Sequence, residues 1–347
     1  MKSLDIKVER FALAALAVLL AVVLPLTLNG FYLNLVAKYT SYAFVALGIV
    51  LIWGFSGILS LGQGVFFGLG GYAMAMYLKL AASAGALPDF MTWSGVSALP
   101  GWWVPFHSLV FAVVAGLLVP ALIAYVFSYL VFKKRVSGVY FAIVTLALAL
   151  TFTVLLVGQQ SYTGGQNGIT NFTSIAGANL YSSTVTWVIY YLELVLLFAL
   201  AWFALVIRDS RLGNVLLALR DREDRVRFTG YNTAAMKAFV FMIGALSASM
   251  GGMFFTIQAG LISPTVVGVT KSIEVVVFAA VGGRMSVSGA IVGSLAVGML
   301  EFYLSNNYPE GWLFLLGALF ILVVTAMPNG VMGLVKRLVI RSPEVVA

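Results

Sequence analysis

Residues 208–237 read R-D-S-R-L-G-N-V-L-L-A-L-R-D-R-E-D-R-V-R-F-T-G-Y-N-T-A-A-M-K. This stretch holds seven of the chain's 20 Lys and Arg and four of its 12 Asp and Glu. Charge of both signs at this density cannot lie in hydrocarbon, so the stretch lies in water. Almost everything on either side is apolar. Of the 347 residues 62% are hydrophobic and 9% charged, against about 25% charged in soluble domains, and the mean hydropathy is +1.04. The chain therefore reads as an integral membrane protein with one sizeable polar handle. Val215, Leu216, Leu219 and Val226 recur near helical spacing among the charges, which predicts a short amphipathic helix ended by Gly230. Two placements are open to it: flat on lipid headgroups, or against a soluble partner. Four acids among seven bases suit a protein surface better than an anionic membrane.

Outward from this handle, a crossing takes about 20 apolar residues. Candidate spans fall at 11–28, 35–53, 61–80, 108–132, 138–157, 187–207, 236–257, 273–283, 289–305 and 313–335. The segment 273–283 is too short to cross alone at about 1.5 Å per residue. It is either a half-helix or continuous with its neighbour through G-G-R-M-S-V-S-G (282–289). The expected fold is an all-α integral membrane protein, a polytopic bundle of about 8–10 transmembrane helices with broken or short helices. It forms a single transmembrane domain over 1–347, with a cytoplasmic loop at 208–235 and outer loops at 81–107 and 158–186. Lys2, Lys7 and Arg10 precede the first apolar run as in a signal peptide, but the run is long and no small-residue cleavage site follows, so it reads as an anchor helix.

With the N-terminus in the cytoplasm, 17 of the 20 Lys and Arg fall on the cytoplasmic side, all but Lys38, Lys79 and Lys271. The positive-inside rule asks for such a bias and places both termini in the cytoplasm. The net charge of +8 is scattered over short loops and reads as a topology signal, not as a nucleic-acid surface. Trp93, Trp102 and Trp103 in the first outer loop fit an interfacial belt. Cysteine is absent, which excludes disulfides and thiol chemistry.

Residues 54–71, G-F-S-G-I-L-S-L-G-Q-G-V-F-F-G-L-G-G, hold seven glycines, each costing about 1 kcal/mol in a helix interior. They serve either close helix packing, for which Gly64 and Gly68 have the spacing, or a broken helix beside a solute path. In the second case backbone at Gly62 and Gly64 and the side chains of Ser60 and Gln63 would face the solute. A second Gly-rich break near 282–293 hints at inverted repeats. Tyr162–Asn171 reads as a turn cluster or as a gate or docking loop for a delivering protein. Glu193, Glu274 and Glu301 are costly near hydrocarbon and are pathway candidates. All three also lie near expected span ends, where they would be interfacial, and Glu274 could form a local ion pair with Lys271. His107 has no metal-ligand partner at a recognisable spacing, and no hydrolase or nucleotide-binding signature occurs. An ATP-driven process would therefore need another subunit to bind ATP.

The run S-Y-A-F-V-A-L-G-I-V-L-I-W-G-F-S-G-I-L-S-L-G-Q-G-V-F-F-G-L-G-G-Y (41–72), with A-L-R-D-R-E-D-R-V-R-F-T-G-Y-N (218–232) and V-G-G-R-M-S-V-S-G-A-I-V-G (281–293), resembles the LivM-like permeases of branched-chain amino-acid ABC importers. Within that family the chain is similar to the permease subunits of urea importers. That similarity rests on G-V-F-F-G-L-G-G-Y-A-M-A-M-Y-L (64–78), L-P-D-F-M (87–91), Y-T-G-G-Q-N-G-I-T-N-F (162–172) and Y-P-E-G-W-L-F-L-L-G-A-L-F-I-L-V-V (308–324). The resemblance implies a bacterial inner-membrane complex with a second related permease, two ATP-binding subunits and an extracytoplasmic solute-binding protein. It implies no enzyme activity and no cofactor on this chain, with ATP held by the partners. The coupling loop would dock on the ATPase through Arg220, Asp221, Glu223, Asp224, Arg225, Val226 and Gly230. Of these, Asp224, Arg225, Val226 and Gly230 align with the family's E-A-A-x-x-x-G element. Arg225 departs from the small residue usual there, and a cation at that point would suit an acid on the ATPase. The rival readings are an ATP-independent channel or secondary transporter, and a membrane-embedded enzyme or assembly factor.

Overall fold

A computed structural model describes residues 2–83, 85–327 and 330–333. Helices account for about four-fifths of it. In chain order they are α1 (Ile6–Thr27), α2 (Gly30–Phe55), α3 (Gln63–Ala82), α4 (Leu109–Lys133), α5 (Val139–Gly158) and α6 (Ser183–Asp209). There follow α7 (Arg211–Phe228), α8 (Thr233–Ala259), α9 (Val269–Gly282), α10 (Val287–Asn307) and α11 (Trp312–Ala326). Eight of them are long and apolar enough to cross a bilayer. The ten segments expected from the sequence all appear as helices, with ends shifted by a few residues. The expected span 313–335 is described as helix over Trp312–Ala326 and again at 330–333. Lys336, Arg337 and Arg341 lie outside the described residues.

Local chemistry sets the ends. Asn29, Ser182, Ser210, Asn232 and Ser286 each accept a hydrogen bond from the first turn of the helix that follows, satisfying an amide that has no partner inside the helix. Gly260, at φ +68°, ends α8 in the left-handed conformation. In α1 a π-helical turn, Leu19–Val23, directly precedes Pro25, whose ring cannot fit the regular ladder. A second π turn, Val50–Phe55, closes α2.

The centre of the bundle is α8, which packs against α2, α3 and α4, while α10 packs on α2 and α9. In lipid, burying oily surface gives little drive for helix association, and close backbone contact takes its place. Gly251 and Gly252 supply that contact. A Cβ at Gly252 would run into the Phe67 carbonyl of α3, and one at Gly251 into the Ser41 carbonyl of α2. Around this centre, α1, α4, α5 and α11 turn large apolar side chains outward, Phe11, Leu118, Val154 and Phe314 among them, as a lipid-facing wall requires.

At one end of the bundle the long loops are folded, not slack. Ile169 and Thr170 pair with Ile262 and Leu261, and Ser174–Ile175 with Ala178–Asn179. Lys79, almost fully buried, donates to Asp89 at 2.8 Å and to the Thr170 carbonyl at 3.0 Å. The Ala176 amide donates to the Tyr77 hydroxyl at 2.8 Å, and Trp102 stands edge-on to Tyr162. Lys79 is thus an internal tie between both loops. Burial alone would raise the Asp89 carboxyl. Hydrogen bonds from Lys79, the Phe90 amide and Asn171 outweigh burial and hold it below the usual carboxylate value.

Candidate translocation path and coupling surface

Between α2 and α3 the chain is not helical from Gly57 to Gly62. It passes through the protein there, where its freed amides need partners. The Leu61 amide donates to Thr145 Oγ1 of α5 at 3.0 Å, and the Gly64 amide to Ser272 Oγ of α9 at 3.1 Å. Gln63 Nε2 and the Gly62 amide both reach Ser60 Oγ at 3.4 Å. Gln63 Oε1 is buried with no partner. The structure therefore brings Ser60, Gly62, Gln63 and Gly64 together at the N-terminus of α3, all buried, with Thr145 and Ser272 completing the ring. Sequence reading missed the last two. A lone Thr or Ser in an apolar span is common because it can bond back into its own helix, as Thr145 also does to Ala142.

Two clefts run along one face of α9 on either side of this ring. One, of about 480 Å³, is lined by Trp53, Leu59, Leu61, Ile273, Val276 and Arg284, among others. The other, of about 310 Å³, is lined by Thr153, Gln166, Thr265, Lys271, Glu274 and Glu301, with Trp312 at its rim. Glu274 is thus not part of the Ser60–Gly64 ring but stands two residues past Ser272, in the second cleft. Lys271 forms ion pairs with Glu274 and with Glu301, the latter at 3.1 Å. The local pair expected between Lys271 and Glu274 exists and extends to a second carboxylate from α10.

For Glu193 and Glu274 the sequence leaves two readings open, a pathway group or an interfacial one near a span end. Both are buried inside the bundle, at 0% and 1% exposure. The helices begin earlier than the apolar runs suggest: α6 starts at Ser183 and α9 at Val269. Each acid therefore lies deeper than its run implied. Glu193 accepts from Gln258 at 3.2 Å, away from both clefts.

At the opposite end from the folded loops lies α7. Leu216, Leu219 and Val226 are buried and Val215 half-buried, so the amphipathic helix forms with the expected face inward. Its backbone is interrupted at Arg222 (φ −152°, ψ 81°), and Gly230, at φ +87°, follows its end. The seven residues expected to dock on an ATPase divide into two groups. Asp221, Asp224, Arg225 and Gly230 are exposed, with open space beside Gly230. Arg220, Glu223 and Val226 are turned to the protein. Glu223 pairs with Lys237 of α8 and with Arg227 at 3.5 Å. Arg220 donates through Nη1 to the Gly54 carbonyl at 2.9 Å and contacts Met285 Sδ at 3.3 Å. Its side-chain stem crosses Gly57, where a Cβ would lie 2.6 Å from Arg220 Cγ. Arg220 thus reaches both Gly-rich breaks, its stem at Gly57 beyond the end of α2 and its guanidinium at Met285.

No solved structure matches this chain. Among curated proteins it is similar to the high-affinity branched-chain amino acid transport system permease proteins LivH and LivM of Salmonella typhimurium. The LivH match is 24% identical over 86% of this chain and 94% of LivH. The LivM match is 25% identical over 95% of this chain and 76% of LivM. The ribose import permease protein RbsC of Haemophilus influenzae is 23% identical over 95% of each. Residues 31–324, which take in the ring, both clefts and α7, match the family described as branched-chain amino acid transport system permease components, and the chain belongs to that family.

Proposed function

We propose that this chain is a membrane-spanning subunit of an ATP-driven importer in a bacterial inner membrane. A second related permease, two ATP-binding subunits and an extracytoplasmic solute-binding protein would complete it. The observation that carries this reading is the seating of α7. A polar helix with one exposed charged face is pinned through Arg220 to the two breaks that border the candidate path. A push on that face would reach the path directly. Energy enters as the difference in how the partners bind the two permease states.

Urea is the favoured solute. It is small and neutral, and the Ser60–Gly64 ring offers hydroxyl, amide and backbone groups without a fixed charge. Branched-chain amino acids are the second reading, favoured by the names of the relatives and by the charge cluster of buried Glu274 with half-buried Lys271 and Glu301. Uptake of labelled urea and of labelled leucine by cells with and without this chain separates the two. An ATP-dependent signal for either supports the importer. Uptake by the isolated chain without ATP would replace the importer with a channel or secondary carrier. Replacing Asp224 and Gly230 together should uncouple hydrolysis from uptake while membrane insertion stays normal.

A further inference from the structure

The cleft around Lys271 contains more acceptors than the protein itself uses. Lys271 Nζ lies between Glu274 and Glu301 and over the Tyr42 ring, 5.2 Å from its centroid. That ammonium is already shared between two carboxylates. Glu274 Oε1 and Glu301 Oε2 are buried with no hydrogen-bond partner, and Glu274 Oε2 has only its ion pair with Lys271. The Glu274 side chain is 1% exposed, so water does not satisfy it as it would on a surface. The charged groups on the cleft wall are one Lys and two Glu. Lys38, with its ammonium near the rings of Tyr39 and Phe255, is a second cation close enough to Glu301 and Lys271 to act on both electrostatically. The remaining polar groups at the cleft are the hydroxyls of Thr153, Thr265 and Thr270 and the amide of Gln166. A carboxylate or phosphate entering here would face two carboxylates and, in Lys271, a cation with no free side. A group rich in N–H would find two unpartnered acceptors.

We propose that Glu274 and Glu301, held apart and oriented by Lys271, form a receiving subsite for the N–H end of the transported solute, whether an amide or an ammonium. The inference rests on the importer reading. The solute would enter N–H first, at the end of the bundle that carries the folded loops. It would then pass along α9 to the Ser60–Gly64 ring. Lys271 is a positioning residue, and the two glutamates make the contact.

The test uses the assembled transporter in lipid vesicles, loaded binding protein in excess, and two labelled probes, urea and leucine. Glu301→Gln and Glu274→Gln keep side-chain size and lose the charge. For whichever probe the unaltered transporter moves, each substitution should lower solute moved per ATP hydrolysed about tenfold, the scale of one lost charge-assisted hydrogen bond. Glu301→Asp should restore part of it. Co-purification of the complex separates this loss from failure to fold. A second readout does not depend on transport. A carboxylate-reactive carbodiimide should modify Glu274 or Glu301, and urea or leucine should protect them several-fold better than tetramethylurea or N-trimethylated leucine, which lack the donors. Protection by urea alone or by leucine alone names the source of the N–H group. Unchanged transport in both Gln variants overturns the subsite, as does equal protection by the methylated compounds. If neither probe moves with ATP, the importer reading for these solutes fails, and the protection assay alone still decides the cleft.

Discussion

Arg220 has a side chain 29% exposed and a guanidinium facing the protein, an orientation that repeats in its contacts with Gly54 and Met285. Replacement by Met keeps the stem over Gly57 and removes the donor. Uptake driven by ATP should fall about tenfold, the scale of one charge-assisted hydrogen bond, while the ATP-binding partner still co-purifies. Replacement of Arg225, which makes no such contact and is exposed, should weaken co-purification instead. The sequence marks the buried face of α7 through Leu216, Leu219 and Val226, and Arg220 sits next to that face. What it does not carry is which backbone lies opposite, because that depends on contacts 65 and 166 residues away. Asp89 offers a test in pH. Its carboxyl is held below the usual value, so the folded state binds fewer protons than the unfolded chain. Its contribution is complete above the usual carboxylate pKa of about 4 and disappears as pH falls through the depressed folded value. Protease resistance of the 158–186 loop should therefore drop on acidification. In Asp89→Asn it should be lower at neutral pH and flat through the same range. Removing Asp89 leaves Lys79 buried with only the Thr170 carbonyl, at a cost of about 3 kcal/mol, the low end for a broken buried pair because Asp89 keeps 35% exposure.

Elements are held here by close approach and by caps. At Gly252 of α8 any side chain meets the Phe67 carbonyl. Gly252→Val should abolish the folded form in detergent, read by gel filtration, since rigid backbone on both sides leaves no room to relax. α1 is tied to the bundle by Glu9 as well as by the Tyr190 hydroxyl, which donates to the Leu20 carbonyl at 2.6 Å. Glu9 is fully buried and accepts from Ser286 Oγ at 2.6 Å, from Ser288 Oγ at 2.7 Å and from the Ser288 amide at 3.1 Å. A carboxylate is thereby placed on the N-terminus of α10, where amides and the helix dipole both favour it. Glu9→Ala should cost about 2–3 kcal/mol, from buried hydroxyls left unpaired, and lower the thermal midpoint by a few degrees, with Glu9→Gln in between. The helices themselves were legible because a crossing helix needs a long apolar run and leaves one in the sequence. Their true starts were not, since α6 opens on S-T-V-T and α9 on V-T-K-S. These are polar turns that a hydropathy reading trims, and trimming them placed Glu193 and Glu274 near span ends. The break at 57–62 was legible through its glycines, but its hydrogen-bond partners on α5 and α9 were not, because one hydroxyl in an apolar helix leaves no pattern.

At the scale of the whole molecule the two ends differ in chemistry. One end carries the paired loops, with Trp93 and Trp102 exposed. The other carries α7, Lys133, Lys134 and Arg135, with Arg220 reaching the 283–286 turn. Basic residues gathered at one end are what the positive-inside rule reads, and the sequence alone located that asymmetry because it needs only charge counts between spans. The compartment each end faces can be measured simply, since the chain has no cysteine and any single introduced thiol is the sole target. Ser97 and Thr229 are exposed, one in each end region, and neither borders the ring or the clefts. In intact cells a membrane-impermeant maleimide should label Ser97→Cys and leave Thr229→Cys unmodified until the membrane is opened. The reverse pattern would put α7 on the outer face, out of reach of any ATP-binding partner. It would remove the physical basis of coupling, because a helix pinned to both breaks can transmit work only from the side on which ATP is hydrolysed.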